Sequence, residues 1–134
     1  MELTAKAKER MTELADYIEQ MEHFEAGIPF ELPDTGMAPA KESPMFCMSI
    51  WKEQIDCRTA CCIGGSTVDL FGEQPEEAFG ITNKQKTTLC YPNIYNWDRI
   101  TPEIAANALR QLAKGEIALN AKFWPTIIEQ TTAL

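Results

Sequence analysis

The sequence predicts a mainly α-helical domain, and three observations carry that prediction. An apolar row recurs at spacings of three and four through residues 2–24, a second helix is punctuated at both ends between Thr101 and Gly115, and the stretch hostile to helix, Gly27 to Pro44, is short and internal. At 134 residues the chain has the size of one ordinary domain and can bury a core without disulfides or metal. With 45% hydrophobic and 24% charged residues it has the composition of a globular protein rather than a disordered tail. No repeat or linker divides it, so residues 1–134 read as a single domain with an internal proline-rich loop at 27–44.

The first element is an amphipathic helix over residues 2–24. Leu3, Ala7, Met11, Leu14, Ile18 and Met21 form its apolar side, the opposite side is charged, and Gly27 followed by Pro29 stops it. Pro29, Pro33, Pro39 and Pro44 exclude helix from the next segment. Ile28, Phe30 and Leu32 alternate, as do Phe46, Met48 and Ile50, which predicts a short β-hairpin within residues 28–51. Thr59 is placed to cap a helix from Ala60 to about Phe71, closed by Gly72. Gly64 and Gly65 each cost that helix about 1 kcal/mol relative to alanine, so another element is expected to approach it closely. A short helix follows Pro75, and another runs from Asn83 to Cys90 with Thr82 and Gln85 forming a capping box. After an aromatic loop from Tyr91 to Trp97, Thr101 caps a helix with Pro102 at its first position and Glu103 in its first turn. Ile104, Ala105, Ala108, Leu109 and Leu112 form its apolar side, and Gly115 ends it. No element is assigned beyond Gly115.

Charge narrows the function classes. The net charge is −8, divided as −6 over residues 1–35, −4 over 36–80 and +2 over 81–134. An acidic N-terminal third disfavours direct contact with nucleic acid or anionic lipid and favours a basic partner. Met1 to Arg10 carries glutamate and lysine where an export signal needs an apolar run, and no stretch approaches the roughly 20 apolar residues that span a bilayer, so the expected location is cytoplasmic. Five cysteines in that setting are expected to remain thiols, bind metal or take part in redox chemistry.

Three runs also resemble a set of small uncharacterised bacterial and bacteriophage proteins. They are Phe46-Cys47-Met48-Ser49-Ile50-Trp51, then Cys57-Arg58-Thr59-Ala60-Cys61-Cys62-Ile63-Gly64-Gly65, then Thr101-Pro102-Glu103-Ile104-Ala105-Ala106. The pattern of that set is Phe-Asn-Met and an aromatic, Cys-Gly-Thr-x-x-Cys-Ile-Ala-Gly, Leu-Phe-Tyr-Pro, and Thr-Pro-x-x-Ala-Ala. Thr88-Leu89-Cys90-Tyr91-Pro92 stands at the third piece. Arg58 replaces the glycine, Gly64 replaces the alanine, and Cys61 and Cys90 are additions. The resemblance covers roughly residues 45–115; it implies a cytoplasmic or phage setting and no particular activity.

Cys57 and Cys62 are the cysteine pair shared with that set. A helix beginning at Thr59 would put Cys62 in its first turn and Cys57 just before it, where backbone amides lower a thiol pKa, so Cys57, Cys61 and Cys62 are the thiol or redox candidates. The opposing reading is packing, since cysteine is among the most buried residue types and Ala60, Ile63 and Gly64 surround these positions. A zinc site would draw on Cys47, Cys57, Cys62 and Cys90, whose spacing lacks the tight Cys-x-x-Cys pairs of structural zinc sites. The one histidine, His23, reads as a solvated or capping residue near the end of the first helix. Gly64-Gly65-Ser66-Thr67-Val68 lacks the last glycine of a nucleophile elbow, and no phosphate loop, dinucleotide fingerprint or His-Glu-x-x-His is present, so no cofactor is expected. Residues 75–90 have the outline of a helix-turn-helix with only Lys84 and Lys86 as cations, against the basic footprint of duplex binders. Trp51, Trp97, Trp124, Tyr91 and Tyr95 read as core and loop anchors.

The functional expectation is a non-enzymatic binding or modulating protein of phage or bacterial origin. Its contact surface is the acidic side of the first helix, Glu2, Glu9, Glu13, Asp16, Glu19 and Glu22, facing a basic protein such as a nucleic-acid-binding one. A thiol- or zinc-dependent enzyme using Cys57 and Cys62 is the rival, and a DNA-binding regulator the weaker alternative.

Overall fold

A computed structural model of the chain describes residues 3–23, 45–48, 52–55, 58–94 and 97–132. Helices dominate it: α1 (Ala5–Glu19), α2 (Ile63–Phe71), α3 (Pro75–Phe79), α4 (Asn83–Cys90), α5 (Pro102–Lys114) and α6 (Phe123–Thr132). A small sheet of four strands, β1 (Glu22–His23), β2 (Met45–Phe46), β3 (Lys52–Ile55) and β4 (Arg58–Cys61), and a single 3-10 turn, Trp97–Arg99, complete the described elements.

The first helix is the expected amphipathic one, with different ends. Thr4 accepts a hydrogen bond from the Ala7 N–H at 3.1 Å, and Ala7, Met11, Leu14, Ala15 and Ile18 are buried. The helix stops at Glu19, before the glycine and proline expected to end it. Met21 N–H bonds to Ile18 O at 2.9 Å, which tightens the last turn, and Met21 is buried. Glu22 and His23 then pair in parallel with Met45 and Phe46, so strand pairing rather than a local breaker ends α1.

The sheet order is β1-β2-β4-β3. β2 lies between two parallel neighbours, Met45 opposite Ala60 and Phe46 opposite Cys61 on one side, and both its residues are buried. Within residues 28–51, where the sequence predicts a short hairpin, Phe46 belongs to a strand parallel to both its neighbours; the described antiparallel hairpin is β3 with β4, from Lys52 opposite Cys61 to Ile55 opposite Arg58. Ile28, Phe30, Leu32 and Ile50 lie outside the described residues, as does the predicted loop at 27–44. A correction concerns Thr59 and Ala60, which are strand residues; α2 begins at Ile63 rather than Ala60, with Cys62 as its N-cap in extended conformation. The threonine hydroxyl could cap a helix locally, but pairing with β2 and β3 satisfies the backbone there instead.

The close approach expected at the glycines of α2 is present, since Gly64, Gly65, Ser66 and Thr67 are all buried. Gly72 and Gly115 end α2 and α5 in the left-handed conformation at φ 70° and 73°, a region that costs a side-chain-bearing residue energy. α4 carries the predicted capping box: Thr82 N–H donates to Gln85 Oε1 at 2.8 Å and Gln85 N–H to Thr82 Oγ1 at 3.1 Å. α1 packs chiefly on α5 and meets α2 and α3 on its other flank.

α6 was not expected from the sequence. It puts Phe123, Trp124, Ile127 and Ile128 into the core, and the Trp124 indole N–H donates to Leu89 O at 2.9 Å at the end of α4. Pro125 sits in its first turn, where a missing N–H costs nothing. Trp97 is half-buried, its indole N–H donating to Pro92 O at 2.8 Å, while Tyr91 beside it is exposed; Trp51 and Tyr95 lie outside the described residues.

Candidate functional site

The outward side of α1 is the first candidate. At 3.6 residues per turn, Glu9, Glu13 and Asp16 fall within roughly 60° of one another, opposite the buried row, and all three are exposed. Both flanks of this face are tied down. On one, Arg10 donates to Glu73 at 2.9 Å and to Ala78 O at 3.2 Å while its guanidinium lies 5.3 Å from the centre of the Phe71 ring, and the Tyr17 hydroxyl donates to Asp69. On the other, Arg110 of α5 reaches across with Nη1 2.6 Å from Glu19 Oε2 and Nη2 2.8 Å from Asp16 Oδ1.

The Arg110 contact changes how the acidic side reads. The hydrogen bond from Arg110, and then its charge, hold the Glu19 carboxyl below its ordinary value of 4.5, and the same bonds from Glu19 and Asp16 raise the guanidinium's already high pKa. Asp16 and Glu19 therefore clasp α1 to α5, while Glu9 and Glu13 keep their carboxylates on the open surface. Glu22 is exposed on β1, a strand rather than a helix, and Glu2 lies outside the described residues. Arg110 was missed as a member of this site; only the strong amphipathicity of both helices hinted that α1 and α5 would pack together.

His23 is half-buried in β1 and not at a helix end. It lines a groove of about 310 Å³ with Glu19, Met21, Thr101, Pro102 and Glu103 at the start of α5. A larger groove, about 430 Å³, runs between the beginning of α1 and the end of α5, lined by Leu3, Lys8, Leu112, Gly115, Glu116, Ile117 and Ala118.

The cysteines form the second candidate. Cys47, Cys62 and Cys90 are buried, at 0%, 2% and 1% exposure, which leaves a solvent-borne electrophile no direct approach. Burial, reinforced by Cys62, pushes the Cys90 thiol far above its ordinary pKa, the opposite of what a nucleophile needs. Cys62 stands at the N-cap of α2 rather than inside its first turn, which corrects the expected placement. Cys61 is the last residue of β4, and Cys57 lies outside the described residues. Among the described residues no three histidine, cysteine, aspartate or glutamate side chains are grouped to hold a metal ion.

The helical pair expected at 75–90 is present, with five residues in α3. Of the two lysines of α4, Lys86 pairs with Glu76 at 3.3 Å, and Lys84 is exposed. Among the described residues no helix is long and apolar enough to cross a membrane. Comparison of the chain with family models, curated proteins and solved structures finds no match.

Proposed function

We propose that the chain is a non-enzymatic binding or modulating protein that engages a basic protein partner through the outward side of α1. The observation that carries this reading is the exposed pair Glu9 and Glu13, with Asp16 beside them in the Arg110 clasp, on a helix fixed along both flanks by Arg10 and Arg110. Carboxylates on a fixed helix present their charge with little ordering cost on association, and like-signed neighbours raise the encounter rate with a cation. A nucleic-acid-binding protein is the partner class such a surface fits, since its groove is already built for a row of anions. Burial of Cys62 and Cys90 weighs against the thiol-enzyme alternative, and the pairing of Lys86 of α4 with Glu76 of α3 weighs against direct DNA contact. The motif order over residues 45–115 supports a bacterial or phage setting.

The test is affinity capture from bacterial lysate with the wild-type protein and a Glu9→Lys, Glu13→Lys double variant, at low and moderate salt. A basic protein held by the wild type, lost from the variant and weakened as the Debye length shortens toward about 8 Å supports the proposal. Identical captured proteins from both versions sink it.

A further inference from the structure

We draw no further inference here: the strongest candidate, the groove between the beginning of α1 and the end of α5 lined by Leu3, Lys8, Leu112 and Ile117, is an unpartnered face, and nothing in the structure shows what covers it.

Discussion

Arg110 satisfies two carboxylates of α1 at once, and this sets what individual substitutions do. Replacing Asp16 or Glu19 with lysine puts a second cation against the guanidinium and should lower the melting temperature. Charge reversal at Glu9 and Glu13, on the open face, should leave it within about 3 °C of wild type. Thermal melts of the two sets of variants check the distinction. The pH dependence has a definite sign. Glu19's folded-state pKa is depressed, so its contribution is present above the unfolded value of 4.5 and is lost as pH falls through the folded value. Glu76 adds in the same direction, held down by its own backbone N–H and then by Lys86. Melting temperature should fall as pH drops below about 4.5, and Arg110→Gln should flatten part of that fall. An unchanged slope in the variant means the clasp does not form in solution. For the thiols, a chromogenic disulfide reagent should leave Cys47, Cys62 and Cys90 unmodified in the native protein and label them on denaturation. Rapid native labelling of any of the three contradicts their burial.

At the scale of elements, stability rests on helix ends and on one late helix. The N–H of Gly115 bonds to Leu112 O at 3.1 Å and that of Glu116 to Gln111 O at 2.9 Å, a closing turn that needs the left-handed conformation. Nothing lies near where a Cβ would be added at Gly115, so the cost of Gly115→Ala is backbone strain alone, about 1–2 kcal/mol by denaturant unfolding. α6 depends on Trp124, which is wholly buried against the core and satisfies one of the carbonyls that α4 leaves open at its end. Trp124→Phe keeps most of the ring and loses the bond to Leu89, which predicts a loss of about 1–3 kcal/mol. Trp124→Ala also opens a cavity and should cost about 3–5 kcal/mol. If both variants unfold at the wild-type midpoint, α6 does not dock as described.

For the molecule as a whole, the core is one cluster that draws on α1 through α6, with Phe46 of β2 packed into it. α1 packs chiefly on α5, with Asp16 and Glu19 held by Arg110 at the edge of that contact and Glu9 and Glu13 on the open surface. Charge is uneven along the chain, net −6 over residues 1–35 and +2 over residues 81–134, and Glu9 and Glu13 put part of the negative charge on the open side of α1. Such a field acts on association rates before it acts on any single contact, so binding of a basic partner should slow with added salt more than its dissociation accelerates. Stopped-flow association at two ionic strengths checks this, and a salt-insensitive association rate argues against electrostatic engagement.

The helices α1 to α5 were legible in the sequence because their signals are local, whereas α6 was not expected. The apolar row from Ala7 to Ile18, the Thr82 and Gln85 box, Thr101 with Pro102, and the glycines at 72 and 115 each act within a few residues, and each stands where the sequence placed it. Strands of two to four residues are too short to show a period, and the parallel partners of β2 lie far from it along the chain. Pairing of Met45–Phe46 with Glu22–His23 and with Ala60 and Cys61, and of β3 with β4, thus ended α1 early and took Thr59 and Ala60 out of α2. The candidate site divides the same way. That acids gather on one side of α1 follows from helical spacing alone. Which of them face a partner and which are held by Arg110 follows from the docking of α5, and the burial of Cys62 and Cys90 follows from the packing around them. Those are contacts between residues distant in the chain, fixed only when the whole core closes.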